Sequence, residues 1–148
     1  MSGHVYHEIF LHLNWHTKGN CALLRGTVEK VTYQVLEDKC HAAKGVYLHG
    51  LGGTDDHVHL ALSIEPFVTL SELVQQLKGG SSHDVNQKLD RKILEWQRGY
   101  GAVSFGKAHL DWVLDYIKHQ REHHAHGRLE ARLEMWEASP EAAFEKPG

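Results

Sequence analysis

Several things are scarce in this chain, and each scarcity excludes a class of protein. Cys21 and Cys40 are the two cysteines, far apart and without a CxxC pair, so the sequence reads as one with reduced thiols rather than a disulfide framework. No apolar run approaches the ~20 residues of a membrane-spanning helix. The stretch holding His4, His7 and Glu8 lacks the basic start and apolar core of a signal peptide. A soluble, cytoplasmic protein with no membrane partner is therefore expected. Internal repeats and low-complexity segments are absent as well. Net charge is also small, −3 with a pI near 6.5, which argues at first sight against tight non-specific binding of nucleic acid.

The charge is unevenly placed. Of 19 acidic and 16 basic residues, five acidic (Glu130, Glu134, Glu137, Glu141, Glu145) and two basic (Arg132, Lys146) follow residue 128, leaving 14 of each sign in residues 1–128, together with all 14 histidines. The body is thus neutral and rich in groups that titrate near physiological pH. At 148 residues the chain fits one domain with its own core. We divide it into a folded domain, residues 1–128, and an acidic C-terminal tail, residues 129–148. The last dozen residues read as solvated, and the tail is assigned no function.

Hydrophobic periodicity orders the body. His4–Trp15, with Val5, Ile9, Leu11, Leu13 and Trp15 partly alternating, reads as a strand, and Thr27–Ala43 carries Val28, Val31, Val35 and Leu36 at helical spacing between Gly26 and Gly45. Val46–Leu51 and His57–Ile64 read as strands joined through Gly52-Gly53-Thr54-Asp55-Asp56 in an antiparallel hairpin. After Pro66, Thr69–Leu77 reads as a helix capped by Thr69 or Ser71 and stopped by Gly79-Gly80, with a second short helix from Ser81 or Ser82. Glu95–Ser104 reads as a strand or strand pair around Gly99-Tyr100-Gly101, and Lys107–His124 as the last helix. The order β, α, β, β, α, α, β, α predicts an α+β domain, an antiparallel sheet with helices on one side.

Chemistry concentrates at two places. His57 and His59 alternate on one strand, so both imidazoles face the same side, roughly 6–7 Å apart along the chain, where they can share a metal ion. Tyr116 and Gln120 stack at i and i+4 on the last helix. Two ring nitrogens, an amide oxygen and a phenol suit metal-assisted attack on a phosphodiester. Taken singly, an HxH pair in a histidine-rich chain, a helix tyrosine and a helix glutamine are ordinary; their joint spacing gives them weight. Asp55 and Asp56 either approach the metal or cap their turn. Tyr100, between glycines, marks a turn rather than a nucleophile, and His123, His124 and His126 extend the last helix and its cap.

His57-Val58-His59, followed by Tyr116-Ile117-Lys118-His119-Gln120, resembles the single-tyrosine HUH transposases, the small insertion-sequence and repeat-associated enzymes that cut and rejoin single-stranded DNA. Gln76-Leu77-Lys78-Gly79-Gly80-Ser81-Ser82, running on to Asn86, and Trp96-Gln97-Arg98-Gly99-Tyr100-Gly101-Ala102-Val103-Ser104 are similar to that family too. The four stretches occur in the family's order from about Tyr6 to His124. The resemblance implies a ferredoxin-like, RRM-like α/β sandwich, with Tyr116 as nucleophile and His57, His59 and Gln120 as metal ligands. It also implies a single-stranded DNA partner carrying a hairpin. A homodimer is expected, with a monomer as the alternative.

Tyrosine ionises near ~10, so it is a poor nucleophile at neutral pH unless its proton leaves or the electrophile is polarised. A divalent ion supplies the second effect, and two imidazoles suit Mn²⁺ or a tolerated Mg²⁺. Lys78, Arg98, Lys107, Lys118 and Arg121 are candidate phosphate contacts, or else ordinary surface. Two other readings stand beside the transposase: a metal-dependent hydrolase that activates water without the tyrosine, and a non-catalytic single-stranded nucleic-acid-binding module on an RRM-like sheet.

Overall fold

The computed structural model describes residues 4–125 and 130–136. Four strands, β1 (Phe10–His16), β2 (Val46–Gly53), β3 (His57–Ile64) and β4 (Gly101–Phe105), form one sheet in the order β2-β3-β1-β4, every pair antiparallel. Helix α1 (Gly26–Ala42) links β1 to β2, and α2 (Leu70–Leu89) links β3 to β4. Two such units with a central hairpin make the ferredoxin-like, split-βαβ arrangement. Three further helices follow: α3 (Leu110–Lys118), α4 (Gln120–Ala125) and α5 (Ala131–Glu134).

Strand alternation separates core from chemistry. Leu11, Leu13 and Trp15 of β1, with Val58, Leu60, Leu62 and Ile64 of β3, face a core that α1 closes with Val28, Val35, Leu36 and Cys40, and α2 with Leu73, Val74, Leu77 and Val85. The intervening residues, His12, Asn14 and His16 on β1 and His57 and His59 on β3, point the other way. That second face is not open. Helix α3 crosses it, and Val113 and Ile117 bury Ala61 in a small second cluster. The expectation of helices on one side only is thus corrected: α1 and α2 occupy one face, α3 the other.

Other boundaries also move. β1 begins at Phe10, not His4, because its ladders to β3 and β4 both start there, opposite Ser63 and Phe105. Gly79-Gly80 does not stop α2, which runs unbroken to a left-handed C-cap at Asp90. Buried Leu77, Ser81 and Val85 carry its packed face past the glycines. Within and just beyond Glu95–Ser104, the strand is Gly101–Phe105, while Trp96 makes an isolated bridge to Thr17. The last helix opens with a 3₁₀ turn at Lys107–His109 and breaks at His119. There His119 Nδ1 lies 3.0 Å from Asp115 O, and Gln120 Nε2 donates to Tyr116 O at 3.2 Å. The His119 N–H keeps its own ladder bond to Asp115 O at 3.1 Å, so the interruption falls after it, where the Gln120 side chain takes the Tyr116 carbonyl without any proline or glycine. His126 and the residues from 137 onward lie outside the described residues.

Candidate active site

The β1–β3 register sets Asn14 opposite His59 and His16 opposite His57, on the face beneath α3. Both histidines of the pair are buried, and their rings meet at 70° with centroids 5.0 Å apart. His57 Nδ1 is 2.7 Å from Asp56 Oδ1 and 2.9 Å from Thr54 Oγ1, so the turn that precedes the strand orients the ring and leaves Nε2 on the α3 side. Asp56 thus bears on the site through His57, whereas Asp55 is engaged by Arg25 at 2.7 Å. His59 Nδ1 rests 2.8 Å from Nε2 of His12, which is itself fully buried. Burial, reinforced by His59, depresses the His12 pKa to about 3, so this imidazole stays neutral. His16 stacks on His57 at 4.6 Å.

The carboxylate of Glu134 enters from α5. Its Oε1 lies 3.5 Å from His57 Nε2 and 3.3 Å from His59 Nε2, and Tyr116 donates its hydroxyl to Oε2 at 2.5 Å. The backbone N–H of Glu130 donates to the same hydroxyl at 2.9 Å. Burial works against ionisation of Glu134, but the two histidines outweigh it and hold its pKa well below the carboxylate range. Burial likewise lowers the His57 pKa, and Glu134 with Asp56 more than reverses this, for a net rise. Tyr116 moves upward, to about 12, through burial and then its bond to Glu134.

Tyr116 is itself buried, its ring edge-on to His59 and stacked on Trp112. Gln120 is buried beside it and bonds both to its carbonyl and to its side chain. Glycines in β2 let α3 come this close, since a Cβ at Gly52 would sit 2.6 Å from the Ile117 carbonyl oxygen. Asn14 ties down the segment carrying α5 by donating to Leu133 O at 3.0 Å and Met135 O at 2.8 Å, where Gly101 leaves no room for a side chain.

His57, His59 and Glu134 offer donor atoms within 4.8 Å of one another. Metal bonds of about 2.0–2.2 Å to nitrogen and oxygen leave neighbouring ligands about 3–3.5 Å apart. The spacing of Glu134 from the two imidazoles therefore fits a divalent cation. Among the described residues a second group, His16, Asp56 and His57, shares one member with the first.

The basic candidates are scattered. Lys78 turns inward and donates to the carbonyls of Gln97 and Gly99, both at 2.7 Å. Arg121 pairs with Glu29, and with Lys118 it lines a groove of about 590 Å³ between β2 and the α3–α4 break. Arg98, Lys107 and Lys118 are exposed. His12, Asn14 and Glu134 were missed by sequence reasoning. The alternation of His12, Asn14 and His16 between Leu11, Leu13 and Trp15 was the available signal for the β1 residues. For Glu134, in a segment read as tail, there was none.

A tyrosine and a histidine pair converging on one face of a ferredoxin-like sheet define the class, that of the single-tyrosine transposases. The family model described as "Transposase IS200 like" matches residues 5–120, and the chain belongs to that family. It is 31% identical over 107 residues to the "Transposase for insertion sequence element IS200" of Salmonella typhimurium and to that of Salmonella typhi, covering 68% of this chain. The match spans 61% of those relatives' length. Among solved structures, a Deinococcus radiodurans R1 protein described as a candidate transposase aligns with TM-score 0.63 and 24% identity over 81% of this chain and 97% of its own. A REP-associated tyrosine transposase bound to a REP hairpin aligns with TM-score 0.59 and 12% identity, over 87% and 76%. At these identities the two structures establish a shared fold.

Proposed function

We propose that the protein cleaves and rejoins single-stranded DNA through Tyr116, at a hairpin-bearing end of a mobile or repeat element. The observation that carries this reading is the Glu134 carboxylate, shared between the Tyr116 hydroxyl and the facing Nε2 atoms of His57 and His59. A phenol and a cation site lie within one hydrogen-bonded cluster, as a metal-assisted transesterification requires. His57 and His59, with Gln120 and Glu134 completing the set, would hold Mg²⁺ or Mn²⁺. Such an ion supplies charge neutralisation and in-line orientation of the scissile phosphate.

In the forward step the Tyr116 oxygen, oriented by its hydrogen bond to the ionised Glu134 carboxylate, attacks phosphorus while its proton passes through solvent to the departing 3′ oxygen. The bond from phosphorus to the 3′ oxygen breaks, giving a 5′-phosphotyrosine and a free 3′-hydroxyl. The ester bond is conserved, so a second 3′-hydroxyl rejoins the strand without ATP. Lys118, Arg121, Arg98 and Lys107 are the proposed phosphate contacts, and Lys78 acts by holding the Gln97–Gly99 loop. Tyr116, His57, His59 and Glu134 come together within one chain, which supports a monomer able to act alone. Sedimentation tests that against the homodimer. We place the reaction in the cytoplasm.

Hairpin oligonucleotides from the flanks of the protein's own gene, incubated with Mg²⁺ or Mn²⁺ and run on a denaturing gel, test the reading. A covalent adduct is expected, lost with Tyr116→Phe and with His57→Ala. Cleavage without adduct would make the protein a hydrolase. Binding that persists without adduct, cleavage or metal would make it a recognition module.

A further inference from the structure

Trp112 lies one helical turn before Tyr116 and is the one tryptophan among the exposed large apolar side chains of the described residues, with 51% of its surface in water. Its inner face stacks on the Tyr116 ring, centroids 5.8 Å apart at 23°. Trp112 also lines a cleft of about 490 Å³ between β4 and α3, whose other walls include Val113, Leu133, Phe105, His109 and Arg132. That size falls within the range of small-ligand pockets, about 300–1,000 Å³. Glu130 also lines the cleft, and its backbone N–H donates to the Tyr116 hydroxyl, so cleft and nucleophile share a wall.

We propose that this cleft is a nucleobase subsite: it takes one unstacked base flanking the scissile phosphate, laid on the outer face of Trp112. The inference rests on the proposed transesterification by Tyr116 and adds where the neighbouring nucleotide goes. A phosphodiester at the Tyr116 oxygen brings its adjoining base to the next aromatic ring along the helix, which is Trp112. Every base has a π-face, so such a platform fixes the strand without dictating its sequence. The exposed Arg132 guanidinium, 3.4 Å from Ser104 O, puts positive charge at the rim where a sugar–phosphate backbone would leave the cleft.

The test uses Tyr116→Phe protein, which keeps the stacking ring but cannot turn over, and a strand whose cleaved phosphate has been mapped with the wild type. 2-Aminopurine is placed in turn at each position near that phosphate. Quenching is expected at one position, lost in Trp112→Ala and retained in Trp112→Phe. An abasic site there weakens binding roughly tenfold, within the range of about 5- to 150-fold for one base–aromatic stack. In Trp112→Ala the abasic strand binds no worse than the intact one. Quenching at no position, or an equal abasic penalty without Trp112, overturns the proposal. So does a dimer that Trp112→Ala dissociates with no base-specific effect, which would assign the face to a second copy. A wild type that forms no adduct with any strand refutes the transesterification and the subsite together, whereas an adduct without quenching refutes the subsite alone.

Discussion

Replacing Gly101 by alanine should uncouple Tyr116 from Glu134 without touching either residue. A Cβ at this position would lie 1.8 Å from Met135 O and 2.5 Å from Asn14 Nδ2. Non-bonded carbon–oxygen contacts start at about 3.3 Å, so Met135 must retreat by roughly 1.5 Å. That takes its 2.8 Å bond to Asn14 beyond hydrogen-bond range and strains the 3.0 Å bond from Asn14 to Leu133 O. The two bonds together are worth about 2 kcal/mol, or a fall in Tm of roughly 4–8 °C for a chain of this size. Glu134, one residue away, leaves with the segment. Burial and Glu134 are what hold the Tyr116 pKa up at about 12, so in metal-free protein it should drop toward the ordinary value near ~10. The sign is fixed: the raised group stays protonated through pH 11 in the parent and ionises near pH 10 in the variant. Tyrosinate absorbance, taken as the difference from Tyr116→Phe in the same background, reads this directly. Hydrogen exchange at Leu133 and Met135 should rise in parallel. An unchanged Tyr116 titration with an intact sheet would refute the coupling.

Other outcomes follow from separate parts of the molecule. Gly52→Ala drives a Cβ to 2.6 Å from Ile117 O; α3 should shift and adduct formation fall at least tenfold, with far-ultraviolet circular dichroism unchanged. Asn86 accepts from the N–H groups of Ile93 and Leu94 and donates to Leu94 O, so Asn86→Ala should cost about 2–4 kcal/mol in urea unfolding. Burial pushes the Cys40 thiol up to about 12, keeping it protonated at pH 8. A thiol reagent should therefore titrate one group per native chain, exposed Cys21, and two in denaturant. Glu134→Gln, leaving the fold intact, should weaken Mn²⁺ binding measured by calorimetry, and unchanged affinity would remove Glu134 from the ligand set.

The sequence made the sheet legible because β2 and β3 are bounded by glycine-rich turns and β3 carries an unbroken run of buried residues. Placement of His57 and His59 on one face followed from strand period alone. Gly79-Gly80 misled because local breakers are overridden where a helix continues to bury Ser81 and Val85. The His119 break was invisible since it coincides with a side-chain bond from Gln120 to the Tyr116 carbonyl rather than with a breaker residue. Glu134 was out of reach for a different reason. Its position depends on Asn14 and Gly101 meeting the backbone of residues 133 and 135, contacts that for Asn14 span more than 100 residues and that no local pattern encodes.

The two sheet faces have a consequence for how the site opens. His57 and His59 sit on the strand paired on both sides and buried on both faces, so their amides are expected to exchange only through the most global openings. Tyr116 sits on a helix whose buried apolar anchors on the sheet are Val113 and Ile117 over Ala61, and Glu134 on a single turn held by Asn14. The histidine half is therefore an anvil, held at the global stability, while Tyr116 and its carboxylate partner form a hammer hung from smaller contacts that can swing away at lower cost. Under the proposed transesterification, a strand passing from cleavage to rejoining would need that asymmetry: one half to keep its grip, the other to let go.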